Sequence, residues 1–312
     1  MEKLWIHRRR TIVLIGATLA LLILLAWSLL PAIRAFTLVY NGNSRAAPSN
    51  AQAARAGIPV RDISFAASDG VRLHGWLVVA NPHAATIILV HGFKATRVSM
   101  LPWARFLYAA GYNVLLFDDR SCGQSDGWGI ALGAREPDDV IGAVRYLQGR
   151  RDLTNKRYGA LGVSLGAGIA LLAAAREPAL VAVVADSAWA DERPQLDRMG
   201  SVSLGRFALP VLPYEPALLD ALIGARLEDA SPQAVIGQIA PRAVLLIHSA
   251  DDQNTTTPLA GEARLYAAAG QPKQQWIAPS GGHAGALAAH PAEYQQRTLA
   301  FFAQYLTANS HG

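Results

Sequence analysis

Residues 158–168 read YGALGVSLGAG. An apolar run ends at a serine with a glycine two positions away on either side, then passes directly into the alanine-rich stretch 165–176. The pattern predicts a strand over 158–163 and a helix from 165, which puts Ser164 in a sharp turn between them. Such a turn needs small neighbours, and Gly162 and Gly166 supply them. It also sets the hydroxyl at a helix N-terminus, where backbone N–H groups favour negative charge. In a chain with 27 glycines the five-residue pattern alone says little. Its position at a strand–helix junction gives it weight.

Outward from this turn, short apolar runs alternate with helical patterns. TIILVHG (86–92), NVLLFDD (113–119), LVAVVADS (180–187), AVLLIHS (243–249) and QQWIAP (274–279) are nearly continuous apolar runs. Such runs mark strands covered on both faces, as in a parallel sheet. VRLHGWLVV (71–79) alternates instead and predicts an early antiparallel strand. Helices are expected over 98–110, 137–150, 165–176, 258–269 and 291–306. The fold class that follows is α/β, a doubly wound and mostly parallel sheet. One interval breaks the rhythm. More than fifty residues separate the strands at 180–187 and 243–249, and SLGRFALPVLPYEPALLDALIG (203–224) lies among them. We expect a helical cap insertion over about 188–232, above the strand ends where open α/β sheets bind ligands.

The charge of the chain, +5 formally, is concentrated at its start: the first ten residues carry +3 and the rest only +2. The body lacks a basic stripe with interleaved aromatics, which argues against nucleic acid as a partner. Cys122 is the only cysteine, so neither an intrachain disulfide nor a cysteine-based metal cluster is expected. After HRRR, residues 11–33 carry no charge. At 1.5 Å per residue they span roughly 34 Å as a helix, enough to cross a bilayer core. A secretory signal has an apolar region of only about 7–15 residues, so an uncleaved anchor is the preferred reading. The expected organisation is a basic tail (1–10), a transmembrane anchor (11–36), a linker (37–59), a catalytic domain (60–306) and a tail (307–312). Under the positive-inside rule the N-terminus stays cytoplasmic and the domain is extracytoplasmic.

A serine hydroxyl is a poor nucleophile until a base removes its proton, and the base needs an acid to orient it. LLIHSADDQNTTTP places Asp251 and Asp252 in a loop after an apolar strand, and IAPSGGHAG places His283 in a glycine-rich loop after the last one. Both loops belong to the rim that carries Ser164. His283 is the expected base, since it lies in the loop directly after the final strand, whereas His248 ends its strand, His290 begins the last helix and His311 lies in the tail. Spacing from the strand end favours Asp252 over Asp251, and Asp186 at another strand end is a weaker rival. LVHGF (89–93) offers the backbone N–H of Phe93 to pair with that of Leu165 as an oxyanion hole. His91 and the loop DDRSCGQSDG (118–127) read as turn-stabilising.

In order, HGF, DDRSCGQSDG, GVSLG, HSADD and GGHAG resemble the α/β-hydrolase superfamily over residues 60–306, most nearly its membrane-anchored serine-aminopeptidase-like members. The resemblance implies Ser164 as nucleophile, Asp252 as acid and His283 as base. Two positions depart from the pattern: the acid loop runs NTTTP where Val-Pro is usual, and Ser249 stands where glycine is usual. The expected activity is ester hydrolysis through an acyl-enzyme, on a small-molecule or lipid-like ester with a hydrophobic acyl group. No cofactor and no metal is expected. Thioesterase or peptidase activity on the same triad, or a non-catalytic tethered binding protein, are the alternatives.

Overall fold

A strand packed on both faces must be apolar at every position, and β3 (Thr86–Val90), β4 (Asn113–Phe117) and β9 (Ala243–Ser249) are buried along their whole length. In the computed structural model, which describes residues 2–41, 44, 46–191, 201–204 and 206–306, these strands are interior members of an eight-stranded sheet. The others are β1 (Arg61–Ala66), β2 (Arg72–Val78), β5 (Tyr158–Val163), β6 (Leu180–Asp186) and β10 (Lys273–Ala278), and the order is β1-β2-β4-β3-β5-β6-β9-β10. β1 and β2 pair antiparallel, as do β2 and β4; the remaining ladders are parallel.

Side chains alternate between two apolar layers. Ile88 and Val90 of β3 face a core shared with helices Pro137–Gly149 and Leu165–Arg176, while Ile87 and Leu89 face one shared with Leu101–Ala109 and Pro291–Leu306. Period-two alternation with helices on both faces is the doubly wound arrangement expected above. Parallel strands send their C-terminal ends to one rim, so the loops after β3, β5, β9 and β10 converge there. Strand β1 escaped the sequence reading because it is an edge: of its six residues only Phe65 is buried, which leaves no apolar run to find.

Two expectations need correction. The cap is not purely helical. Ser201–Leu204 (β7) and Phe207–Pro210 (β8) pair as an antiparallel hairpin before the helix Glu215–Ile223. Large and small residues alternate along both SVSL (201–204) and FALP (207–210), a pattern that the leucine and proline content of the stretch obscured. Part of the expected cap, 192–200, and the tail 307–312 lie outside the described residues.

The second correction concerns the linker expected from 37. The N-terminal helix α1 runs Glu2–Asn41 without a break, and Asn50–Arg55 forms a further short helix. Residues 5–26 of α1 are exposed throughout, whereas from Trp27 onward the helix lies against the domain. Pro31, Ala35 and Val39 recur at four-residue spacing and are buried, with Leu38 half-buried beside them. This stripe packs on Leu219 and Ile223 of the cap helix and on Ile130 and Leu132. Polar contacts reinforce it: Trp27 Nε1 donates to the Pro210 carbonyl at 3.2 Å, and Arg34 pairs with Glu215 at 3.3 Å. Composition marked the apolar span correctly but could not reveal that its last turns are also a packing surface.

Candidate active site

The turn after β5 is strained as its sequence suggested. Ser164 has φ 56° and ψ −120°, outside the regions a non-glycine residue normally occupies. The flanking glycines are required by contact. A Cβ on Gly162 would lie 2.1 Å from the Gly166 carbonyl oxygen, and one on Gly166 would lie 2.3 Å from that of Val90 and 2.5 Å from that of His91. Gly92 in turn sits against the turn, its absent Cβ 3.2 Å from the Val163 oxygen. Serine, strand end and the loop that carries Phe93 are thus pressed together. Leu165 opens the helix Leu165–Arg176, so its N–H has no acceptor within the helix.

Three side chains meet at this turn. Ser164 Oγ lies 2.7 Å from His283 Nε2, and His283 Nδ1 lies 2.9 Å from Asp252 Oδ2. With Nδ1–H donating to the carboxylate, Nε2 is left to accept the serine hydroxyl proton. Asp252 is buried and its Oδ1 accepts the Asn254 N–H at 2.7 Å, an Asx turn that fixes the carboxylate. Asp251, the rival acid, is exposed and points elsewhere: its Oδ1 accepts the Gly282 N–H at 2.8 Å, holding the loop that presents His283. Asp186 is also committed elsewhere, accepting from the hydroxyls of Tyr294 at 2.9 Å and Ser187 at 3.0 Å, and burial pushes its carboxyl up to about 6.

Several contributors were not legible in the sequence. Thr257 Oγ1 lies 3.1 Å from His283 Nδ1, a second acceptor for the same proton. His248 is fully buried with Nε2 3.2 Å from Asp252 Oδ2, and desolvation holds its pKa below the usual imidazole value. Ser187 Oγ accepts the N–H of Ala284, beside His283, at 3.1 Å. Nothing in NTTTP marks Thr257 for this position. His91 pins the neighbouring turns: its Nδ1 donates to the Gly92 carbonyl at 2.9 Å and its Nε2 accepts the Asp119 N–H at 3.1 Å.

Ser164 and His283 line a cavity of about 300 Å³. Phe93, Leu132, Leu165 and Trp189 make much of its wall, Leu38 of α1 closes one side, and Asp191 and Asn254 add polar groups. Asp191 is paired with Arg264 at 3.0 Å. Leu132 is held in a left-handed conformation (φ 52°) by Glu136, whose carboxylate accepts the N–H groups of Ala131 and Gly133. A larger cavity of about 810 Å³ lies between helices Leu101–Ala109 and Pro291–Leu306, and its lining holds neither a nucleophile nor a base. Among the described residues no group of three His, Cys, Asp or Glu could hold a metal.

The sequence model of the X-Pro dipeptidyl-peptidase (S15) family matches residues 40–211. The protein YfhR of Salmonella typhimurium is 28% identical over 297 residues, covering 90% of this chain and 91% of that one. YqkD of Bacillus subtilis is 33% identical over 219 residues, 69% of this chain and 70% of that one. Among solved structures, the Pyrococcus furiosus esterase Pf2001 shares the fold with a TM-score of 0.67 at 21% identity, over 85% of this chain and 100% of that one.

Two outcomes test the geometry. Gly166→Ala forces the turn away from β3 and should reduce turnover by about 10² or more, the scale of losing an oriented donor at this kind of site. Wild-type kinetics in that variant would mean that the close approach is unimportant. Glu262, 3.9 Å from His248, is buried, and its carboxyl is pushed up to about 8 from 4.5. The folded protein therefore keeps a proton that the unfolded chain has lost, so stability should fall as pH rises between these values. Urea unfolding at about pH 5 and about pH 8 should show this loss in the wild type and a smaller one in Glu262→Gln.

Proposed function

This chain belongs to the X-Pro dipeptidyl-peptidase (S15) family within the α/β-hydrolase superfamily, and on that premise we propose that it is a serine hydrolase that cleaves carboxylic esters with a hydrophobic acyl group. The observation that carries the proposal is the chain of hydrogen bonds from Asp252 through His283 to Ser164, lying in the wall of a largely apolar cavity. Ser164 Oγ attacks the ester carbonyl carbon while its proton passes to His283 Nε2. Asp252 stabilises the imidazolium that forms, and the tetrahedral oxyanion takes hydrogen bonds from the N–H groups of Phe93 and Leu165. Collapse breaks the C–O bond and the leaving alkoxide takes the proton from Nε2. Water then attacks the acyl-enzyme by the same route and releases the acid.

The family's name brings a second reading, removal of a dipeptide from a peptide N-terminus. An enzyme of that kind must hold the substrate's ammonium group. The lining carboxylate Asp191 is already engaged by Arg264, which favours the ester. The name of the Pf2001 esterase points the same way for a chain of this fold.

A fluorophosphonate probe should label the full-length protein and leave Ser164→Ala unlabelled, with ester turnover in that variant lowered by up to roughly 10⁶. Wild-type turnover by Ser164→Ala would remove the serine from the mechanism. A panel of aryl esters, thioesters and X-Pro amides should show the esters turned over fastest; preference for the amides would favour the peptidase.

Residues 5–40 form one helix long and apolar enough to cross a membrane. We read it as an uncleaved anchor with the basic segment cytoplasmic and the catalytic domain outside. A periplasm-active reporter fused at the C-terminus should be active and a cytoplasm-only reporter silent. The opposite pattern would put the domain inside.

A further inference from the structure

The helix that crosses the bilayer in this reading is also a wall of the reaction pocket. Leu38 of α1 lines the cavity that holds Ser164 and His283. It stands twelve residues beyond Ala26, the last residue of the exposed apolar span, or about 18 Å along the helix axis. No flexible tether separates the two, because α1 continues unbroken to Asn41.

The cap follows the same helix. Pro210 contacts Trp27, Tyr214 donates from its hydroxyl to the Ser28 carbonyl, and Glu215 pairs with Arg34. Leu219 and Ile223 then pack in the cluster that holds Ala35 and Val39. From 210 to 223 the cap therefore runs along α1 away from the exposed span, which leaves the hairpin β7–β8 at the end nearest that span. There Phe207 and Leu209 of the hairpin, and Leu212 just after it, are exposed. These exposed apolar side chains lie toward the apolar span of α1, so a bilayer holding that span is the covering that fits them. Arg206, exposed beside Phe207 with its guanidinium 5.0 Å from the ring centroid, suits the headgroup level.

We propose that the substrate is a membrane-resident long-chain acyl ester that enters the pocket from the bilayer side, past Leu38 of α1, with its acyl chain packed against Leu38 and Leu132 and its carbonyl at Ser164. This deepens the ester-hydrolase reading and rests on it. Leu38 thereby becomes a specificity-determining residue, and the hairpin a bilayer contact that positions the entrance.

The test uses the full chain reconstituted in phosphatidylcholine vesicles and two probes: water-soluble p-nitrophenyl butyrate, and a fluorogenic long-chain acylglycerol ester dissolved in the same vesicles. The double variant Phe207→Asp/Leu212→Asp should cleave the vesicle-borne ester about tenfold more slowly, the scale of losing such apolar contacts. Its rate on the soluble ester should be that of the wild type. Leu38→Trp should shift the preferred acyl length to shorter chains. If the hairpin variant matches the wild type on the vesicle-borne ester, or loses both activities equally, entry from the bilayer is wrong. An unchanged chain-length profile in Leu38→Trp would remove that residue from the pocket's selection. Should the wild type cleave neither ester and take up no fluorophosphonate, the hydrolase reading itself falls, a result distinct from the others.

Discussion

The contact on which the site depends is the approach of Gly166 to the end of β3, where no room remains for a side-chain carbon beside the carbonyls of Val90 and His91. That approach lets the chain reverse from strand β5 into its helix within a single residue. Ser164 absorbs the cost as a positive φ, in a region that non-glycine residues avoid at about 1–3 kcal/mol. The strain persists because both sides of the turn are buried in packed layers that have no slack. It also sets the hydroxyl beside the loop after β3, so Ser164 and the expected oxyanion donors come from one rigid junction.

Around that junction, several buried charges are held by specific partners. Asp252 is held by the Asn254 N–H and by the imidazoles of His248 and His283, which meet the same oxygen. Two neighbouring loops are tied down similarly. Arg97 donates to Asp118, and Arg120 is shared by Asp69 and Asp139, so the segment 118–127 is an electrostatic clamp beneath the site. Removing one member of such a buried pair would leave the other desolvated and unpaired, and this explains why these side chains occur as sets. Rigid surroundings matter to a serine hydrolase, since a hydrogen-bond chain of this kind tolerates little displacement.

The N-terminal helix joins this scaffold to the long apolar span. Residues 11–26 are uncharged and exposed on every face, while the last turns bury one stripe at Pro31, Ala35 and Val39 with Leu38 half-buried beside it. Proline and alanine in that stripe keep the helix close to the cap, and leucine reaches the cavity. One element thus has an exposed apolar part and a packed part, and the change between them falls near Trp27.

What the sequence by itself determined is local. Near-continuous apolar runs, the strand–turn–helix at 158–176, the serine–aspartate–histidine order at strand ends and the uncharged N-terminal span all follow from periodicity and short-range sterics, which act between residues a few positions apart. The edge strand β1, mostly exposed, offered no such period, and the hairpin at 201–210 hid within a leucine- and proline-rich stretch. Only the tertiary structure decided which aspartate faces His283, that Thr257 shares its proton, and that Leu38 enters the pocket. Each of these depends on side-chain direction or on contact between segments far apart in the chain. Adjacent aspartates look alike in a sequence; the Asx turn at Asn254 sends one inward and leaves the other to hold Gly282.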